Sequence, residues 1–271
     1  MINIVKNLYR RNRKLNHPLF NSKFCVVSGV GRSGTTILRK SIELHSKINS
    51  TKTEDNLAFD LLEILNRSIT KRSNSLKVPI EEHYRLFKNI IIETCFPHSN
   101  NLESLNALCC DLSMGALDQL MTLFSGQCKV LYIVRNGIEV VASRMLKHQF
   151  KHFSFEENCR IWANSLDVCK TGMMHPDFLL LRHEKMHAND GVKEMFASIF
   201  NHLELLNEDN CVNFASQTFC HPTKITTSDA VKDSLKNRIF RWKSFSDIEK
   251  KTFVEICGQA MEYFDYKVPQ Y

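Results

Sequence analysis

The sequence predicts an α/β, P-loop-like three-layer fold with a central parallel sheet flanked by helices, and three observations predict it. Residues Val26 to Leu38 read as a short apolar strand, a glycine-rich turn and the start of a helix. Lys129 to Val134 is a second apolar run, followed by a helical pattern from about Ile138. Strand-like runs alternate with helical ones along the chain, which implies parallel strands covered on both faces.

Taken in order, the first strand opens at Val26, and its helix is expected from Thr35 to about Ser46. Residues 54–66 and 80–95 are expected to be helical. In the second, Tyr84, Phe87, Ile91 and Cys95 recur at helical spacing. Lys71-Arg72-Ser73-Asn74-Ser75 reads as a polar loop between them. Residues 105–110 predict a buried strand and 114–125 a helix. The helix from Ile138 turns Ile138, Val141, Ala142 and Met145 to the sheet and leaves Ser143 on another face. Ser154-x-x-Glu157 and Ser246-x-x-Glu249 are capping boxes that open long helices. Phe178 to Leu181 is another short buried strand.

A chain of 271 residues can bury a sizeable core. Residues 1–23 read as a basic arm, with Arg10, Arg11, Arg13 and Lys14, and 24–271 as one domain. The net charge of +7 favours anionic partners, but the positive residues form no single long run, so no nucleic-acid partner is expected. Ten cysteines lie scattered with no zinc-site spacing, and Cys109-Cys110 read as buried free thiols. The expected compartment is the cytoplasm. No apolar run is long enough for a membrane span.

The chemistry concentrates in two loops. Gly29 to Gly34 has the spacing of a phosphate-binding loop and leads into a helix N-terminus, where backbone N–H groups and the helix dipole favour an anion. The next residue is Thr35, where a nucleoside-triphosphate enzyme would place lysine. The second strand ends in Arg135, where such an enzyme would place a metal-binding aspartate. With Ser143 eight residues on, Arg135 suits a second phosphate.

Gly31-Arg32-Ser33-Gly34-Thr35-Thr36 and Ile133-Val134-Arg135-Asn136-Gly137…Ser143 resemble the two signature loops of sulfotransferases that use 3′-phosphoadenylyl sulfate (PAPS). Leu181-Arg182-His183-Glu184-Lys185-Met186 and Arg241-Trp242-Lys243 are similar to two later family segments, so the resemblance spans about residues 24–266. The R-S-G-T-T form is that of bacterial and tyrosylprotein-type members. The resemblance implies that Gly31, Arg32, Ser33, Gly34, Thr35 and Thr36 bind the 5′-phosphosulfate. It implies that Arg135 and Ser143 bind the 3′-phosphate, with Arg241 also on the nucleotide, and that adenosine 3′,5′-bisphosphate is released without any metal. His183 and Glu184 read as structural braces and Trp242 as a packing anchor.

Arg32 is the expected stabiliser of the leaving oxygen, because a guanidinium holds its charge. Two carboxylates are candidates for the general base. Tyrosylprotein-type relatives carry a glutamate about 21 residues after the loop arginine; here Thr53 stands there and Glu54 follows. Cytosolic relatives carry a histidine before the second motif; here Cys110-Asp111-Leu112-Ser113 puts Asp111 in its place. Glu54 is favoured over Asp111. The rival readings are a P-loop small-molecule kinase, which Thr35 and Arg135 oppose, and a non-catalytic nucleotide binder. The expected acceptor is a hydroxyl or amine of a small molecule, natural product or glycan, seated among residues 54–105 and 145–175.

Overall fold

The computed structural model describes residues 18–54, 56–72, 80–96, 104–187, 189–219 and 241–268. Its centre is a five-stranded sheet: β1 (Phe24–Ser28), β2 (Ile48–Glu54), β3 (Leu105–Cys109), β4 (Cys128–Val134) and β5 (Phe178–Arg182). The strand order is β2-β3-β1-β4-β5, and every neighbouring pair is parallel. Every residue of β1 and β3 is buried, as a parallel strand covered on both faces requires.

Alternation along the strands divides the core in two. Phe24, Val26, Val130, Tyr132 and Val134 point to one face. There they meet α2 (Asn56–Arg72), α3 (Ile80–Cys95), α4 (Met114–Leu123), α5 (Gly137–Met145), α6 (Phe155–Ala163), α7 (Ser165–Gly172) and, near the C-terminus, α10 (Asp247–Tyr263). Cys25, Val27, Leu131 and Ile133 point to the other face. They pack on α1 (Thr35–Ile42), α8 (Asn189–Leu203) and α9 (Asp209–Phe219). The three-layer architecture is therefore as expected.

This division creates the crevice. The chain leaves β1 for α1 on one face and leaves the adjacent β4 for α5 on the other. Between strands whose connections diverge in this way, the carboxyl ends open a cleft where ligands of α/β sheets bind.

Several boundaries differ from expectation. α1 stops at Ile42, because the Glu43, Leu44 and His45 N–H groups turn back on Arg39, Ser41 and Ile42. Residues 48–54 form the edge strand β2, whose polar INSTKTE composition conceals it, so Glu54 ends a strand and opens no helix. The helix after it extends through Lys71 and Arg72, while Ser73, Asn74 and Ser75 lie outside the described residues. Both capping boxes form. The helix that Ser154 opens breaks at Asn164, however, where the Asp167 N–H bonds the Asn164 carbonyl only three residues back. Met145 is 39% exposed, and Val140, fully buried, takes the packing position expected of it.

The basic cluster Arg10, Arg11, Arg13 and Lys14 lies outside the described residues. The end of the expected arm is docked: a 3-10 turn, Pro18–Asn21, sets Phe20 against the Lys88 ammonium at 4.3 Å. Cys109 and Cys110 are buried free thiols as expected. Among the described residues no helix is long and apolar enough to cross a membrane, and no group of three or more His, Cys, Asp or Glu side chains is placed to hold a metal ion.

Candidate active site

The loop after β1 is held in a conformation most residues avoid. The Ser33 N–H donates to the Val30 carbonyl at 2.9 Å, closing a four-residue turn, and Arg32 sits third in it with φ +84°. That is the φ of the glycine-favouring position of a type II turn, and it is strained for arginine by about 1–3 kcal/mol. The strained residue is tied at both ends. Its Nε donates to Ser143 Oγ at 3.0 Å, and its carbonyl accepts from Arg135 Nη1 at 3.4 Å. Gly29 and Gly34 are required by close approach. A Cβ on Gly29 would strike the Ile133 carbonyl of β4, and one on Gly34 would lie 2.7 Å from the His183 ring. Gly34, φ +107°, is also the N-cap of α1, so Thr35 and Thr36 follow as its first turn. No side chain of the N-cap residue caps that end, and a helix N-terminus of this kind favours an anion.

The second loop is braced from below. Asn136 caps α5 by accepting from the Ile138 N–H, and its own N–H donates to Glu184, which also accepts from the Tyr266 hydroxyl at 2.8 Å. The Trp162 indole N–H donates to the Arg135 carbonyl at 3.0 Å, and its ring lies where a Cβ on Gly137 would stand. Glu184 is thus a brace as expected. Trp242 is a packing anchor, buried against Phe245 and Phe253. Trp162→Phe should cost about 1–3 kcal/mol, from lost volume and an unpaired carbonyl. Thermal unfolding unchanged by the substitution would deny the indole that role.

Arg135 is pinned to the buried Glu139 by two bonds, Nε at 2.8 Å and Nη2 at 2.6 Å. Arg241, in a helical segment spanning 241–244, donates to the Glu139 carbonyl at 3.1 Å. Burial, and then the charges of Arg135 and Arg32, hold the Arg241 guanidinium below its usual range, with Glu139 opposing. Arg32, Arg135 and Arg241 therefore gather at one place and repel one another, an arrangement that an anion would relieve. Ser143 joins this group through Arg32, where the sequence pattern paired it with Arg135.

Two cavities open beside the loop. One, about 400 Å³, is lined by Gly31, Arg32, Thr35, Thr36, Asp111 and Phe150 among others. The second, about 630 Å³, has a mainly apolar wall that includes Phe59, Leu112, Tyr132, Phe153, Ile161 and Val168. Gly31, Asp111 and Phe150 belong to both, so the two spaces meet there. Asp111 reaches this junction because the Cys110 N–H donates to the Val27 carbonyl, carrying the β3 ladder one residue past the strand. Glu54 pairs in register with Cys109, so its backbone lies beside the same strand end; its side chain lies outside the described residues.

Sequence reasoning missed the residues around Asp111. Arg144, next to Ser143 on α5, is buried with its Nε on Asn158 Oδ1 at 2.7 Å and its guanidinium 4.0 Å from the Phe150 ring centre. Burial lowers its pKa while the Asp111 charge opposes the shift, so the two groups sense each other. Tyr132 is buried in the cavity wall. Burial, then Cys169 and Asp111, raise its phenol pKa. An arginine following Ser143 in a helix carries no signal of this kind in one sequence.

The profile of the Sulfotransferase family matches residues 25–209. In structure the chain is similar to the sulfotransferase domain from the curacin biosynthetic pathway, with TM-score 0.54 and 17% identity over 92% of this chain and 99% of that one. It is equally similar to the sulfotransferase domain of the Synechococcus PCC 7002 olefin synthase, with TM-score 0.54 and 17% identity over 94% and 98%. At this identity the two likenesses bear on the fold. No curated protein matches the sequence.

Proposed function

The chain belongs to the sulfotransferase family, and on that premise we propose that it moves a sulfuryl group from PAPS to a hydroxyl or amine of a small molecule, natural product or glycan. The observation that carries this reading is the pair of cavities meeting at Gly31, Asp111 and Phe150, one below a helix N-terminus and one mainly apolar. The first suits the phosphosulfate, cradled by Gly31, Ser33, Gly34, Thr35 and Thr36. The arginine group with Ser143 suits the 3′-phosphate. The glycines fit this use: side chains at Gly29 and Gly34 would collide with β4 and His183, so the bare loop backbone is what faces the cleft.

The donor supplies an activated sulfur–oxygen bond. The acceptor oxygen or nitrogen attacks sulfur from the apolar cavity, and its proton passes to a carboxylate; that Asp111 lines both cavities supports its assignment to this role. The bond from sulfur to the 5′-phosphate oxygen breaks, and that oxygen keeps the electron pair. Arg32 and the N–H groups of Thr35 and Thr36 offset the charge that develops there. The bisphosphate then leaves.

Adenosine 3′,5′-bisphosphate at a hundred times its dissociation constant should raise stability by about 2.7 kcal/mol without added metal. Arg135→Ala should weaken this binding about tenfold or more. Stabilisation by ATP with magnesium alone would favour the kinase reading, and normal affinity in Arg135→Ala would remove Arg135 from the nucleotide site.

A further inference from the structure

Among the described residues, the larger cavity is lined by a buried serine whose hydroxyl the fold leaves unbonded. Ser165 is 2% exposed, lines the cavity, and its hydroxyl has no hydrogen-bond partner among the described residues. Burying a hydroxyl unpaired costs about 1–3 kcal/mol, so such a group needs a reason. Two other polar side chains of the wall, Ser113 and Arg144, are held by the fold. Ser113 accepts from the Ala116 N–H as the cap of α4 and bonds Glu63, and Arg144 is held by Asn158 and Phe150.

Ser165 follows a local irregularity of the helix, where the Asn164 carbonyl accepts from both the Asp167 and the Val168 N–H groups. The helix opened at Ser154 would run on, but it breaks at Asn164, and α7 restarts with Ser165 as its first residue. Asn164, Ser165, Asp167 and Val168 all line the cavity at this break. Tyr132 and Asp111 line the same cavity as Ser165. The wall around Ser165 includes Ile161 and Val168, which favour an apolar body with one polar group.

We propose that Ser165 is the anchor of an acceptor subsite, so that the acceptor is an apolar molecule with two polar ends. One end is the hydroxyl or amine that receives the sulfuryl group at Asp111. The other is a second hydrogen-bonding group seated on Ser165 Oγ. This rests on the sulfuryl-transfer reading for the role of the first end. The second end follows from the unpartnered hydroxyl and the cavity it lines. A site built to hydrogen-bond a ligand discriminates against an analogue that leaves its buried group unpaired.

The test uses two probes of nearly equal shape, 6-(hydroxymethyl)-2-naphthol and 6-ethyl-2-naphthol, titrated into the full-length protein with saturating adenosine 3′,5′-bisphosphate. The native protein should prefer the hydroxymethyl compound about fivefold, the size of one net hydrogen bond. Ser165→Ala should reverse the preference toward the ethyl compound. Ser165→Cys, which keeps the volume and donates weakly, should abolish the preference even if the alanine variant folds poorly. Equal affinities in the native protein, a preference that survives both substitutions, or failure of both probes to bind would overturn the subsite. A separate titration with the bisphosphate alone keeps the two readings apart. Its failure would count against the donor site, whereas normal bisphosphate binding without probe discrimination would count against Ser165 only.

Discussion

Replacing Arg32 with glycine should lower sulfuryl-transfer turnover by about 10²–10³-fold, the scale of one lost transition-state donor, while leaving the fold as stable as before or more so. The two halves of this expectation come from the same dihedral angle. Arg32 holds φ +84°, a conformation that glycine adopts freely and arginine does not. The substitution therefore relieves strain as it removes the guanidinium, and lost activity cannot be put down to a damaged loop. The structure also sets a second outcome against the first. Arg32 Nε rests on Ser143, and its charge reaches Arg241, so the side chain stands with the group suited to a 3′-phosphate. If it serves only that phosphate, Arg32→Gly will weaken bisphosphate binding yet leave turnover at saturating PAPS unchanged. If it also acts on the leaving oxygen, turnover at saturation will fall. Arg32→Lys keeps a charge but loses the forked geometry, and should recover only part of the rate.

The inner strands and both loops were legible because their signals are local. β1 and β4 are short apolar runs against glycine turns, and each capping box is four residues long. β2 was not legible: INSTKTE has little apolar content, and an edge strand is fixed by its neighbour β3 rather than by its own pattern. The break at Asn164 was hidden for a related reason, since Asn164 keeps helical dihedrals and only the hydrogen-bond ladder changes. The site divides along the same line. Glycine spacing marks the loop after β1, and Arg135 is marked by standing where a nucleoside-triphosphate enzyme would place an acid. The bond from Arg32 to Ser143 joins residues 111 apart, and the approach of Arg241 to Glu139 joins residues 102 apart. Neither leaves a trace in spacing. The acceptor wall was legible only as two stretches of chain, because Phe59, Tyr132 and Ser165 become neighbours only once the helices pack.

Asp111→Asn should cut turnover by about a hundredfold or more, within the range of general-base catalysis, and leave bisphosphate affinity nearly intact. Sequence alone favours Glu54, through its spacing from the loop arginine. While the Glu54 backbone lies beside the end of β3, Asp111 lines both cavities where they meet, together with Gly31. A carboxylate there faces the incoming acceptor on one side and the phosphosulfate space on the other, so a proton removed from the acceptor has a short path. Arg144 and Tyr132 complicate the assignment in a testable way. Asp111 interacts electrostatically with both, and a carboxylate that merely balances a buried arginine would matter for stability more than for rate. Asparagine keeps the shape and removes both the base and the charge. A variant that melts early but turns over normally would assign Asp111 to Arg144, and the base would then be sought at Glu54 by Glu54→Gln. A variant that folds and binds bisphosphate but fails to transfer, beside a Glu54→Gln that still turns over, would place the proton on Asp111.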